Sequence, residues 1–198
     1  YKLDLSHQVF HSYYRHSPEI LEFYNTTKNE KGSKTLSGYN GEVWSELFIM
    51  DIDSDNLEEA LKTARNILLN LETTYEVDLR HIRPNFSGSK GFHIRIPAIL
   101  FGGFEPSVSL PHLHRKIAEK FSDSIDASIY RTTGLIRYVN SRNAKTGLHA
   151  IPLESSEVLT LSIEEIKALA KEQRKVEYLS SDELEPIESL VALKDKHT

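Results

Sequence analysis

The 198-residue chain contains no cysteine. This absence excludes a disulfide framework and any zinc site built on cysteine ligands. The chain also lacks an apolar run close to the ~18 to 20 residues that a membrane-spanning helix needs. Hydrophobic residues make up 39% of the chain and charged residues 27%, which is typical of a globular domain. We therefore expect a cytoplasmic protein without a membrane partner.

Acidic residues outnumber basic ones, and the formal net charge is −5. The two signs are unevenly distributed: residues 1–79 carry −7, residues 80–150 carry +7 and residues 151–198 carry −5. Such a basic middle segment favours ligands that carry phosphate. The alternative is that the three segments interleave in space and their fields average out.

Helical and strand patterns mix along the chain without strict βαβ alternation, which predicts an α+β fold. The apolar-aromatic run 42–53 predicts a buried central strand. Asp55 and Glu58 predict a capping box at the start of the next helix. Short strands are predicted at 80–86 and 92–97 around a polar turn. Further elements are predicted as strands at 134–139 and 148–153 and as helices that begin at Ser17, Pro111 and Ser162.

The predicted catalytic domain spans residues 1–176. Residues 177–198 are acidic and weakly patterned. We expect this segment to be a tail or a linker to a further module of the same polypeptide.

The apolar run ends in Asp51-Ile52-Asp53. Residues two apart on a strand point to the same face, so both carboxylates project together. Their repulsion is relieved when a divalent cation takes both as oxygen ligands. By itself the motif is weak, since aspartates at strand ends also cap helices or face solvent.

A second motif lies between the two short strands, in the sequence Ser87-Gly88-Ser89-Lys90-Gly91-Phe92-His93. A tight turn with glycines, hydroxyls and a lysine can present N–H groups and an ammonium to a phosphate chain. His93 returns to a strand and can bind phosphate by a hydrogen bond. The spacing of a Walker A loop is absent. The alternative is an ordinary hairpin turn with a surface lysine.

A third group follows in the basic segment. Asp126 is a candidate third carboxylate. Arg137 lies between Ile136 and Tyr138 on a predicted strand, so it opposes their buried face and is a candidate ligand of phosphate. Lys145 follows in a turn. Three carboxylates with lysine, histidine and arginine together indicate phosphoryl or nucleotidyl transfer assisted by two metal ions.

Three segments, FIMDIDSD, SGSKGFHI and DASIYRTTGLIRYVNSRNAKTGL, resemble in order and spacing the signature motifs of the archaeo-eukaryotic primase superfamily. The resemblance covers about residues 42–153 and is strongest to the primase-polymerase branch, with a CRISPR-associated or mobile-element enzyme as the expected type. It implies a catalytic module like an RNA-recognition motif, packed against a smaller N-terminal α/β module. Primase small subunits usually carry a zinc-binding insertion, and a chain without cysteine departs from them in this respect.

The resemblance also implies roles for individual residues. Asp51, Asp53 and Asp126 match the catalytic carboxylates that hold two Mn²⁺ or Mg²⁺ ions. The nucleotide-binding positions that it implies are Ser87, Gly88, Ser89, Lys90, His93, Arg137 and Lys145. The expected substrates are nucleoside triphosphates, and the expected partners are a single-stranded DNA template and a primer.

Three other functions stay open at this stage. A repair or end-joining polymerase would extend primers without starting them. A catalytically inactive nucleic-acid-binding module would need aromatic residues on an open sheet face, for which Phe92, Tyr130 and Tyr138 are candidates. A metal-dependent phosphoesterase would use the same carboxylates.

Overall fold

The computed structural model describes residues 3–180 and 183–198. In these ranges helices mix with short antiparallel strands, so the α+β prediction is confirmed. The strands are β1 (Phe10–Ser12), β2 (Arg15–His16), β3 (Val43–Trp44), β4 (Leu47–Asp53), β5 (Arg83–Phe86), β6 (Gly91–Pro97) and β7 (Leu135–Arg137). The helices are α1 (Glu19–Thr26), α2 (Leu57–Thr73), α3 (Leu110–Ala118), α4 (Ser155–Thr160), α5 (Ile163–Leu169) and α6 (Glu188–Asp195).

The principal sheet is antiparallel and has the order β4-β6-β5. Its register places His93 of β6 between Asp51 of β4 and Asn85 of β5. The prediction of a central strand over 42–53 is therefore wrong in two respects. The central strand is β6, and the predicted strand is divided between β4 at a sheet edge and β3, which pairs with β2.

Burial on both faces, rather than pairing on both edges, makes β4 apolar. Phe48, Met50 and Ile52 point to one face and are almost fully buried. The buried side of α2, which includes Leu61 and Leu68, belongs to the same core. Since side chains alternate along a strand, Ile49, Asp51 and Asp53 point to the opposite face, where Ile49 is also buried and the two aspartates are partly exposed.

A covering layer lies over part of that opposite face. Strands β1 and β7 pair antiparallel and form a two-stranded ribbon. Next to the ribbon, the Tyr13 hydroxyl accepts the Ile49 N–H at 2.8 Å, and the Tyr130 hydroxyl donates to the Ile49 carbonyl at 2.9 Å. These bonds satisfy backbone groups at the edge strand β4, which burial would otherwise leave unpaired.

Two local predictions need correction. The N-cap of α2 is Asn56, whose side chain accepts the Glu58 N–H at 3.1 Å, whereas Asp55 lies one residue too early to cap. Residues 148–153 make isolated bridges and no regular strand: a single bridge joins Pro152 to Asn85 of β5, with the Phe86 N–H donating to the Ile151 carbonyl and the Leu153 N–H donating to the Pro84 carbonyl, both at 3.0 Å. Among the described residues, no helix is long and apolar enough to cross a membrane.

The predicted tail contains a packed helix. Leu190 of α6 is fully buried, and the Ile187 N–H donates to the Leu100 carbonyl at 3.0 Å. The weak pattern hid this helix because few of its side chains are buried. Residues 181 and 182 lie outside the described residues, and the domain boundary at residue 176 stays a prediction.

Candidate active site

A cleft of about 370 Å³ opens between the polar face of the principal sheet and the β1–β7 ribbon. It is lined by polar and apolar side chains from several elements, namely Gln8, Phe10, Asp51, Asp53, Ser87, Ser89, Lys90, His93, Leu135, Ile136, Arg137, Asn143 and Lys145. Every predicted site residue is in this lining except Gly88 and Asp126. Segments that are far apart in the sequence thus meet at one cleft, although the functional roles of these residues stay predictions.

The two carboxylates of β4 each face a cationic or ionisable partner. The Asp53 carboxylate lies 3.3 Å from Lys90 Nζ, and Asp51 Oδ1 lies 3.2 Å from His93 Nε2. Burial raises the pKa of Asp53, and the negative charge of Asp51 raises it further, while Lys90 acts in the opposite direction. The charge of Asp53 in turn raises the pKa of Lys90. The two carboxylates therefore repel each other, and this repulsion favours the neutral form of Asp53.

A chain of polar side chains crosses the sheet at this level. Asn85 is fully buried, and its amide nitrogen lies 3.1 Å from His93 Nδ1. The same nitrogen lies 3.4 Å from the Phe86 carbonyl oxygen, which accepts only and so favours this amide orientation. In this orientation the Asn85 amide donates to Nδ1, and the proton of a neutral His93 ring then lies on Nε2, the nitrogen that faces Asp51. Asn85 thereby orients His93 toward the carboxylates.

The turn between β5 and β6 is held by its own groups and by a neighbouring loop. Ser87 Oγ accepts the Gly91 N–H at 3.1 Å, and the Gly88 carbonyl accepts the Thr146 hydroxyl at 2.6 Å. A side chain at Gly91 would overlap the carbonyl oxygen of Ile52. Glycine at this position is what lets β6 approach β4 beside Asp53. Gly88 shapes the turn from outside the cleft lining, with a φ of 78°.

The remaining cations enter the cleft from the covering layer. The guanidinium of Arg137 donates to the Gln8 side-chain oxygen at 3.1 Å, and its central carbon lies 4.7 Å from the centre of the Phe10 ring. Burial lowers the pKa of Arg137, and the charges of the two β4 carboxylates oppose that effect. The side chain of Asn143 accepts the Lys145 N–H at 2.9 Å and so shapes the turn that carries this lysine.

Asp126 is placed differently from the other carboxylates. The bridge between Ile52 and Ile125 brings it beside Asp51, and its N–H donates to the Asp51 carbonyl at 2.8 Å. Its carboxylate accepts the N–H and the hydroxyl of Ser128, at 2.8 and 2.9 Å. It therefore caps a short 3₁₀ turn, and its role as a third metal ligand stays a prediction.

The described residues include no group of three or more histidine, cysteine or acidic side chains arranged to hold a metal ion. Two carboxylates can nevertheless be enough for Mg²⁺. Proteins commonly bind this ion with one or two carboxylates, and water and substrate phosphates supply the other ligands. Asp51 Oδ1 is buried and has no hydrogen-bond partner among the described residues, although His93 Nε2 lies 3.2 Å away. The oxygen donors of Asp51 and Asp53 therefore fit a hard divalent cation.

Six residues of the site lie outside the sequence predictions. Five of them line the cleft, namely Gln8, Phe10, Leu135, Ile136 and Asn143, and Asn85 orients His93 behind it. For Asn85 the only local signal was a polar residue between Pro84 and Phe86, both of which are buried. The other five reach the cleft through contacts between segments that are far apart in the sequence.

Two of the three aromatic residues considered for an open stacking face are not available for stacking. Phe92 is fully buried, and Tyr130 is 9% exposed and bonded to β4. Tyr138 is partly exposed, with the His11 ring at its edge. The principal sheet therefore does not provide the aromatic platform that the binding-module interpretation needs.

Comparisons with known proteins add a likeness in structure. No protein-family model matches the chain, and no curated protein matches it. Among solved structures, the chain is similar to the polymerase domain from Mycobacterium tuberculosis ligase D in complex with DNA, with a TM-score of 0.46 and 16% sequence identity. The match covers 82% of this chain and 58% of that one, so the chain spans less than two thirds of its neighbour's length. A likeness at this level carries no argument about function, which has to come from the residues of the cleft.

Proposed function

We propose that this chain is the catalytic domain of a template-directed nucleotidyltransferase, a DNA primase-polymerase that joins nucleoside triphosphates with Mg²⁺ or Mn²⁺. One observation carries the proposal: two adjacent carboxylates and four cationic or ionisable side chains line the same cleft. The four are Lys90, His93, Arg137 and Lys145. This arrangement combines ligands for a hard cation with partners for a triphosphate.

The chemistry divides between the two sides of the cleft. Divalent cations bound here would lower the pKa of the attacking hydroxyl and neutralise charge on the leaving pyrophosphate. Asp51 and Asp53 would hold the cation, since their own repulsion favours its binding. Lys90 and Arg137 would orient the phosphate chain and offset the negative charge that builds up on it.

His93 has a distinct part in this proposal. Its Nε2–H faces Asp51, and the ring is 3% exposed. A donor held in a buried ring strengthens its bond to a phosphate oxygen because little water competes for it. The ring would therefore act as a fixed hydrogen-bond donor beside the carboxylates.

The test is nucleotide incorporation on single-stranded DNA template with Mn²⁺ and all nucleoside triphosphates, with and without a primer. Asp51→Ala should abolish product. Asp55→Ala is the matched control, because this exposed aspartate lies outside the cleft lining and should leave activity unchanged. Extension that survives in Asp51→Ala, or a folded wild-type chain that makes no product with a primer, would refute the proposal.

The same assay separates priming from extension. Product without primer that disappears in Asp51→Ala would establish initiation by this chain. Product only with primer would identify an enzyme that extends existing ends, which is the repair-polymerase alternative.

A further inference from the structure

Two exposed apolar side chains, Phe10 and Leu135, form one wall of the cleft, which we call the apolar wall. Binding of a phosphate or a metal ion does not need apolar contacts. Phe10 is 49% exposed and Leu135 is 54% exposed, although both side chains line a cleft that is otherwise mostly polar. Large apolar side chains left open to water beside a site of this kind commonly contact the apolar part of a ligand. A triphosphate has no such part, but a nucleobase has two apolar faces.

The pairing of β1 with β7 places this wall next to the phosphate partners. Phe10 lies opposite Arg137 and Ser12 lies opposite Leu135, so Phe10, Leu135 and Arg137 share one face of the ribbon. The Arg137 guanidinium lies over the Phe10 ring, with 4.7 Å between its central carbon and the ring centre. Arg137 also lines the same cleft as Asp51 and Asp53, so the apolar wall and the carboxylate pair belong to one cleft.

From this arrangement we propose that Phe10, Leu135 and the guanidinium plane of Arg137 form a subsite for the nucleobase of a bound nucleotide. The inference rests on the proposed function, because it assumes that the phosphates of the same nucleotide bind the polar side of the cleft. Aromatic rings and arginine planes both stack on bases. Since every base has a π-face, this subsite holds the base without selecting among the four.

The Phe10 ring could instead serve only to support Arg137, and that role predicts a different result. If Phe10 only supports Arg137 through the cation–π contact, its removal displaces the guanidinium and weakens every ligand that carries a triphosphate. If Phe10 contacts the base, its removal weakens nucleotides and spares a triphosphate that has no base.

The experiment measures equilibrium binding of dATP, dCTP and inorganic tripolyphosphate to the whole chain in the presence of Mn²⁺. Phe10→Ala should weaken tripolyphosphate by no more than about 2- to 5-fold, which is what loss of the ring's support of Arg137 can cost. It should weaken both nucleotides by roughly a further 5- to 150-fold. Phe10→Trp should retain nucleotide binding, and Leu135→Ala provides a second test of the wall. Tyr24→Ala is the control, since this aromatic is 41% exposed on α1 and lies outside the cleft lining.

Each outcome decides between the possibilities. Equal weakening of nucleotides and tripolyphosphate in Phe10→Ala would overturn the base subsite and assign the ring to the support of Arg137. Unchanged nucleotide binding in both Phe10→Ala and Leu135→Ala would also overturn it. Failure of the wild-type chain to bind either nucleotides or tripolyphosphate would refute the proposed function itself, and the subsite with it.

Discussion

Replacing Asp53 by asparagine should stabilise the fold while it abolishes catalysis. In the absence of a cation, the carboxylate of Asp53 is partly buried beside Asp51, and both effects raise its pKa despite the contact with Lys90. A raised pKa means that the folded state disfavours the charged form relative to the unfolded chain. The neutral amide of Asp53→Asn removes this cost and keeps the shape of the side chain.

The size of the expected stabilisation follows from the distance between the two aspartates on the strand. Residues two apart on one strand are separated by about 7 Å. Two unit charges at that distance repel by about 2.4 kcal/mol at an effective dielectric constant of 20, and by about 0.6 kcal/mol in water. The lost ion pair with Lys90 offsets about 0 to 1 kcal/mol, because that lysine is 55% exposed. We expect a net gain of about 1 kcal/mol in the free energy of unfolding.

Urea unfolding measures this difference. With a denaturant slope of about 2 kcal/mol/M, the midpoint should rise by about 0.5 M at neutral pH. The pH dependence has a definite sign. Below the unfolded-state pKa of Asp53, the carboxyl is protonated in both states and does not destabilise the wild-type fold. As pH rises through the higher folded-state pKa, the carboxyl ionises in the fold and the wild-type protein loses that stability. The advantage of the variant should therefore shrink as the solution becomes acidic.

Asp55→Asn is the control for this measurement, because Asp55 is exposed and its replacement should leave stability within about 0.5 kcal/mol. A variant Asp53→Asn that is less stable than the wild-type protein at neutral pH would refute the argument from repulsion. So would an advantage that grows on acidification.

Two further substitutions test how the site is built. Gly91→Ala should cost about 2 kcal/mol or more, because its Cβ would overlap the Ile52 carbonyl. Gly103→Ala is the control and should cost only about 1 kcal/mol, because a Cβ there meets no atom and only the φ of 81° disfavours alanine. Equal urea midpoints for the two variants would contradict the steric argument. Asn85→Ala should leave His93 Nδ1 unpaired and cost about 1 to 3 kcal/mol. The ¹⁵N spectrum of His93 should then lose its preference for the Nε2–H form, and an unchanged spectrum would show that Asn85 does not orient the ring.

Much of the site could be predicted because its signals are local. Asp51 and Asp53 lie two apart after an apolar run, so strand alternation alone places them on one face. The turn that carries Lys90 was recognisable from its glycines and serines between two short strands, and those strands are β5 and β6. Arg137 was likewise predicted to oppose the buried Ile136, and it lines the cleft.

Other features could not be predicted because they depend on sequence-distant contacts. Phe10 reaches the cleft only because β1 pairs with β7, more than 120 residues further along. Helix α6 was predicted as a tail because its single fully buried leucine, Leu190, gives too weak a pattern. The apolar β4 was predicted to be central, although tyrosine hydroxyls from the covering layer satisfy its Ile49 backbone groups.

The sequence by itself determined which residues are candidates for the chemistry and which side of each strand they occupy, because alternation and turn composition act within a few residues. Only the tertiary structure decided which of them meet. It brought Asn85 behind His93, set the guanidinium of Arg137 over Phe10, and turned the Asp126 carboxylate toward Ser128. These contacts depend on strand register and on how the ribbon packs over the sheet, and both are determined by burial summed over the whole chain.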